Sequence, residues 1–112
     1  MLPKKNRLKK RKDFERVFKE GKRYNEKFLF LVTAPNHLSF PRFGFVVNLK
    51  VSKKATVRNK IKRRLREIIR GFLPEIKKGI DCVIVARPEI KEATFQEMKE
   101  VLSRLIKKII KI

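Results

Sequence analysis

Apolar residues recur along this chain with two periods, and the points where one gives way to the other divide it into elements. Phe14, Val17 and Phe18 fall at i, i+3 and i+4, one face of a helix, which predicts a helix over about Arg11 to Glu20 that Gly21 ends. Phe28-Leu29-Phe30-Leu31-Val32-Thr33 is rich in aromatic and aliphatic residues and is closed by Ala34-Pro35-Asn36, as a strand would be. Phe43-Gly44-Phe45-Val46-Val47 reads as a second strand, and Pro35 to Pro41 as a hairpin loop that would pair the two antiparallel. Tyr24 suggests a short additional strand before them.

Further on, Val57, Ile61, Leu65, Ile68, Ile69 and Phe72 gather into one arc when residues are set about 100° apart. That predicts a helix from about Ala55 to Gly71, with Gly71 and Pro74 marking its end. After Gly79, the segment Ile80 to Ala86 is almost continuously apolar, as expected of a central strand covered on both faces, and Arg87-Pro88 stops it. Phe95, Met98, Leu102, Leu105, Ile109 and Ile112 then alternate spacings of three and four, widened by Val101, Ile106 and Ile110. This last helix, from Thr94 or Phe95 to the C-terminus, is better suited to packing on a sheet than to a coiled coil. The order helix, strands, helix, strand, helix defines one α+β or α/β layered domain over residues 1–112, with 1–10 as a basic N-terminal arm.

Charge changes the picture from fold to partner. Lys and Arg total 32 against 11 acidic residues, a net charge of +21. So much like charge on one small domain opposes its own compaction, and a polyanion whose phosphates neutralise it is the usual reason to carry it. A thermophilic Lys/Glu surface would roughly balance the two signs. The single cysteine, Cys82, excludes an intrachain disulfide and a multi-thiolate zinc site; it reads as a small buried hydrophobe. The single histidine, His37, reads as a surface loop residue. The basic stretch Lys4 to Lys12 runs into Asp13-Phe14-Glu15 without an apolar h-region, so neither a secretory signal nor a membrane span is expected and the cytoplasm is the expected compartment.

The polar side of the central helix is where the charge concentrates. Taking Arg58 as zero, Lys62 falls near about 40°, Arg66 near about 80°, Asn59 near about 100°, Arg70 near about 120° and Arg63 near about 140°. Four cations at i, i+4, i+8 and i+12 thus form a ridge beside the apolar arc, with Asn59 and Arg63 on its flank and only Glu67 interrupting. Like charges at this spacing destabilise a helix by a few tenths of a kcal/mol per pair, on the order of 0.3, so the ridge points to phosphates outside the chain. Arg is the better residue for that, through bidentate contacts and stacking. Lys50, Lys53 and Lys54 extend the same region ahead of the helix.

A second candidate surface is aromatic. Phe14 and Phe18 share a helix face; on strict alternation Phe28 and Phe30 point one way together, as do Phe43 and Phe45. Beside cations such rings make a platform for unstacked bases; the plainer reading makes each of them core. Constellations for catalysis are missing: the sequence has no Ser-His-Asp or Cys-His set, no metal-ligand cluster and no phosphate loop. The carboxylates Asp13, Glu15, Asp81 and Glu89 are scattered, with none convincingly paired. Alone, the chain is not expected to catalyse a reaction.

Phe43-Gly44-Phe45, Lys50-Val51 and Ala55-Thr56-Val57-Arg58-Asn59-Lys60-Ile61-Lys62-Arg63-Arg64-Leu65-Arg66-Glu67 together resemble the signature of the ribonuclease P protein family. Its core is an Arg-Asn-x-x-Lys-Arg-x-x-Arg helix, matched by Arg58, Asn59, Lys62, Arg63 and Arg66. Arg7-Leu8, Asp13-Phe14, Val17-Phe18 and Gly21 are similar to the family's opening helix, and Ile84-Val85-Ala86-Arg87-Pro88 to its late strand. The resemblance implies an α+β fold of order α-β-β-β-α-β-α with a left-handed crossover. It implies a protein that binds the catalytic ribonuclease P RNA and helps it hold precursor tRNA, while RNA and Mg2+ perform the hydrolysis that releases the 5′ leader.

Carried over by position, Arg58, Asn59, Lys62, Arg63 and Arg66 would face the catalytic RNA, joined on charge by Arg70, Lys50, Lys53, Lys54 and Arg7. Phe14, Phe18 and Arg87 would line a cleft for the leader. The chain departs from the family pattern at Val46-Val47-Asn48-Leu49 and at Ser52-Lys53-Lys54, both in the loop before the basic helix. Two other classes compete with this reading. A basic structural protein of the ribosome or nucleoid explains the charge without a cleft. A peripheral membrane protein is suggested only by the basic amphipathic end, Leu105 to Ile112.

Overall fold

The computed structural model describes residues 2–110. The expected opening helix forms over Arg11–Glu20 (α1). Strand Lys22–Glu26 (β1) follows and realises the extra strand suggested by Tyr24. Strands Leu29–Pro35 (β2) and Arg42–Val46 (β3) precede the basic helix, Ala55–Phe72 (α2). Strand Ile80–Ala86 (β4) and helix Phe95–Ile110 (α3) complete the chain. Ile112, placed by its spacing on the apolar stripe of α3, lies outside the described residues, as do Met1 and Lys111.

The sheet order is β1-β2-β4-β3, which overturns the expected β2–β3 hairpin. β4 inserts between them, antiparallel to β2 and parallel to β3. The physical reason lies in β4 itself, which is buried on both faces from Asp81 to Ala86 and so gains most from a partner on each side. The residues between β2 and β3 need only bridge two strand spacings, about 9.6 Å. They cross over the entrance to β4 at Gly79, where Asn36 N–H donates to the Gly79 carbonyl (3.0 Å). A Cβ on Gly79 would stand in the Leu38 carbonyl, so the crossing depends on the missing side chain.

The sheet is covered on both faces by different means. Facing α2 and α3, Leu29, Leu31, Phe43, Cys82, Ile84 and Ala86 pack against Ile61, Leu65, Ile68 and Ile69 of α2 and against Met98, Leu102, Leu105 and Ile106 of α3. This is the apolar arc and the stripe read from the sequence, and α3 packs on the sheet as expected. The opposite face carries only a small cluster, Leu8, Val17, Val32, Ala34, Val83 and Val85, under α1. Phe28 and Phe30 do not point the same way. Phe28 joins the large core and Phe30 the small one, because Phe28 sits in the turn before β2 begins at Leu29, where alternation does not hold. Phe43 and Phe45 share a face as expected.

The basic segment ahead of α1 lies along the outer edge of β3. Leu2 is buried in the large core, Leu8 N–H donates to the Phe43 carbonyl (2.8 Å) and Asn6 Nδ2 to the Pro41 carbonyl (2.8 Å). It covers part of an edge that would otherwise offer unpaired backbone groups.

Candidate RNA-binding surface

Strand register on the α1 side arranges the sheet in three cross-strand rows. The first is Arg42–Asp81–Ala34, the second Gly44–Val83–Val32–Arg23, and the third Val46–Val85–Phe30–Asn25. Val17 of α1, wholly buried, packs into the small cluster that the first two rows help to form, and Phe14 lies against Gly44. Phe30 and Val46 of the third row are only partly covered. Phe18 stands 48% exposed, so a ring that could have been core is presented to solvent. Phe14 and Phe18 thus stand on one flank of α1, and the cleft expected from the sequence would have that flank as its wall and the third row as its floor.

Arg87 marks the far end of that floor. Its guanidinium donates to the Lys27 carbonyl (2.7 Å) and to Asn25 Oδ1 (2.6 Å) and stands 5.1 Å from the Phe30 ring centre. Arg23 stacks closer, 3.8 Å from the same centre, and also donates to Asn25 Oδ1 (3.2 Å). Sequence reasoning missed Arg23, Asn25 and Phe30 as a group. Only the pairing of β1 with β2 brings them together, and the sequence signal for β1 was a single tyrosine.

The ridge on α2 forms as the helical angles require. Ile61, Leu65, Ile68 and Ile69 are buried, while Asn59, Arg63 and Arg70 are exposed and Arg58, Lys62 and Arg66 half-buried. Among the described residues, the ion pairs use Asp13, Glu15, Glu26 and Asp81, and none reaches a cation of α2. Arg58 is oriented by donating to the Ser52 carbonyl (2.9 Å), and Arg66 lies 5.9 Å from the Phe45 ring centre. Lys50, Lys53 and Lys54 are exposed at the same end as Arg58. Their loop is held by Asn48 Oδ1 accepting from Lys50 N–H (3.0 Å), by Ser52 Oγ accepting from Lys54 N–H (3.2 Å) and by buried Val51.

A cavity of about 340 Å³ joins the two surfaces; it is lined by Arg7, Lys9, Phe14, Gly44, Phe45 and Arg66 among others. Arg7 from the N-terminal segment, Phe14 from the cleft wall and Arg66 from the ridge therefore meet in one place. Arg7 is steered there by its own hydrogen bond to the Leu2 carbonyl (2.8 Å). Phe18, Arg87 and the lysines before α2 do not line this cavity. The surface as a whole is cationic, with aromatic rings at its centre and along one arm. Stacking faces paired with phosphate partners are the features that a polynucleotide-binding surface requires.

The carboxylates divide differently from the sequence reading. Asp81, within the apolar run of β4, is wholly buried and accepts from Arg42 Nε (2.8 Å) and Nη2 (2.7 Å), from Asn36 Nδ2 (3.0 Å) and from Arg16. The hydrogen bonds to Asp81 hold the Arg42 guanidinium above its ordinary pKa. Burial, helped by the neighbouring Asp81, raises the Cys82 thiol well beyond the usual range, so it behaves as the small hydrophobe expected. His37 is exposed in its loop, as expected, with a positive φ of 62°.

Comparison with known proteins gives this RNA-binding surface its family. The ribonuclease P family model matches residues 2–110. A ribonuclease P protein component from a Cyanothece species is 42% identical over 95% of this chain and 93% of its own. One from Synechocystis is 46% identical over 79% of this chain and 72% of its own. Among solved structures, the RNase P protein of Thermotoga maritima superposes with a TM-score of 0.83 at 38% identity, covering 91% of this chain and 96% of its own. That of Staphylococcus aureus gives 0.86 at 30% identity, over 93% and 94%. The chain belongs to the ribonuclease P protein family, the protein component of a ribonucleoprotein endoribonuclease that matures tRNA 5′ ends together with an RNA subunit.

Proposed function

We propose that the two surfaces divide the work of that ribonucleoprotein: the α2 ridge binds ribonuclease P RNA, and the cleft under α1 holds the single-stranded 5′ leader of precursor tRNA. The observation that carries this is the ridge, which none of the ion pairs among the described residues reaches, beside the α1 flank whose ring, Phe18, is left 48% exposed. On the ridge, Arg58, Asn59, Lys62, Arg63, Arg66 and Arg70 meet phosphates, with Lys50, Lys53 and Lys54 extending the contact along the RNA. In the cleft, Phe14 and Phe18 stack on leader bases, and Arg87 closes the far end. Arg7 and Arg66 share one cavity with Phe14, which supports leader and catalytic RNA being held side by side.

The chemistry belongs to the RNA subunit and to Mg2+ held by RNA and substrate. The chain's own part is binding and orientation. No described helix is long and apolar enough to cross a membrane. The compartment we propose, the cytoplasm, follows from the RNA partners alone.

The direct test is cleavage of precursor tRNA by ribonuclease P RNA at low Mg2+. Adding the chain raises cleavage, and Phe18→Ala lowers affinity for precursor while sparing mature tRNA. Ribosomal RNA as the main copurifying species would instead favour a structural role on the ribosome.

A further inference from the structure

We propose that Asp81 is a positioning residue for the leader cleft: through Arg16 it fixes the roll of α1 about its own axis, and so the height at which Phe14 and Phe18 stand over the sheet. The proposal rests on the leader reading above and adds what sets the geometry of that site.

Val17 is the one fully buried residue of α1. With Val17 at the point of contact, helix geometry places Phe14 at about +60° and Phe18 at about +100°, and Asp13 at about −40° and Arg16 at about −100°. The two phenylalanines and the two charged residues therefore flank Val17 on opposite sides. What lies under Val17 is a bed of small apolar side chains, Val32, Ala34 and Val83. Apolar contact of this kind is strong but not directional; Phe14, packed against Gly44, bounds the roll of α1 on one flank, and the other flank is open to it.

Directional bonds stop it, all on one flank. Arg16 donates through Nη2 to the wholly buried Asp81 and through Nη1 to the Pro35 carbonyl (2.9 Å). Asp81 is itself immobilised by Arg42 of β3, which binds both its oxygens, and by Asn36 from the loop after β2. Arg42 in turn reaches Asp13 at 3.7 Å. One carboxylate thus ties α1, β3 and the β2–β3 loop to the central strand. Charge-assisted bonds with fixed geometry are suited to setting an angle, and lowering the Arg16 flank raises the phenylalanine flank by the same rotation. Neither Arg16 nor Asp81 lines the cavity that Phe14 shares with Arg7 and Arg66.

The test uses the assembled ribonucleoprotein. Arg16→Met keeps the aliphatic stem and leaves Asp81 bonded to Arg42 and Asn36. Affinity for precursor tRNA falls about five-fold or more, the lower end of what one stacked base contributes, while affinities for mature tRNA and for ribonuclease P RNA are unchanged. Arg16→Lys recovers most of the loss. Because Arg16 acts through the two rings, adding Arg16→Met to the double variant Phe14→Ala/Phe18→Ala weakens precursor binding no further, a coupling that general destabilisation does not produce. Equal losses for precursor and mature tRNA, or additive losses in the cycle, would overturn the proposal. If Phe18→Ala shows the leader-specific loss and Arg16→Met does not, the clamp fails and the leader reading stands. If Phe18→Ala itself shows none, both fall.

Discussion

The ring of Phe14 lies against the backbone of Gly44, so close that a Cβ added there would stand 2.5 Å from Phe14 Cε1. The glycine is therefore the seat of a cleft residue, and Gly44→Ala displaces the ring it supports. Overpacking of this kind costs about 1–3 kcal/mol. Urea denaturation gives a lower midpoint for Gly44→Ala, accompanied by weaker binding of leader-bearing precursor. An unchanged midpoint would show that Phe14 moves aside freely.

Reversing Arg58 and Lys62 to Glu removes two cations of the ridge without touching the buried side of α2. If about six phosphates are engaged, the log–log salt slope of RNA binding is roughly −4 to −5, and the double reversal both weakens binding and flattens that slope. A slope identical to the parent's would place the phosphates elsewhere on the protein.

Asp81→Asn leaves Arg42 and Arg16 facing a neutral amide at the most buried polar site of the sheet. Breaking one side of a buried ion pair costs about 3 kcal/mol at the lower end of the usual range, the appropriate end here because both arginines reach solvent, with side chains 24% and 30% exposed. Chemical denaturation reads the difference, and a loss well under about 1 kcal/mol, the scale of an exposed pair, would show that the network contributes little to stability.

Glu26 of β1 joins the sheet to α3 by accepting from Lys108 Nζ (2.8 Å) and Arg104 Nε (3.1 Å). The Lys108 hydrogen bond first, then that of Arg104, lowers its pKa below the ordinary carboxylate value. A carboxylate lowered in the folded state binds fewer protons there than in the unfolded chain. Its stabilisation is complete above the unfolded pKa and is lost as pH falls through the lowered one. Glu26→Gln therefore narrows its stability gap to the parent as the medium is acidified below about pH 4.3, and a gap constant across that window would contradict the pairing.

Thr94 and Glu97 cap α3 reciprocally: Thr94 Oγ1 accepts from Glu97 N–H (3.1 Å) and Glu97 Oε1 from Thr94 N–H (2.8 Å). Thr94→Ala removes one of these bonds and costs about 1 kcal/mol. A thermal midpoint equal to the parent's would show that packing alone fixes the start of α3.

What could be read from the sequence was what depends on neighbours in the chain. The division of α2 into Ile61, Leu65, Ile68 and Ile69 inside and Arg63 and Arg70 outside follows from helical angle alone, and β4 announced its central place by its unbroken apolarity. Pairing of β2 with β3 was misjudged because the choice between a local hairpin and a remote partner depends on burial that only the assembled sheet defines. The anchoring role of Asp81 left one trace, an acidic residue inside a covered strand, which demands cations nearby. The identity of those cations, Arg16 and Arg42, could not be read from spacing. The stacking of Arg23 on Phe30 was hidden because Phe28, in the turn, broke the alternation that would have assigned Phe30 to the open face.

The sheet order has a consequence for the nascent polypeptide. Translation makes β1, β2, β3 and then α2 before it reaches β4, the strand that pairs with both β2 and β3. Until then β3 has no strand neighbour and the aliphatic side of α2 has no finished sheet to cover it. Assembly of this domain must wait for contacts between distant segments, which are slow to close and leave partly made chains open to aggregation.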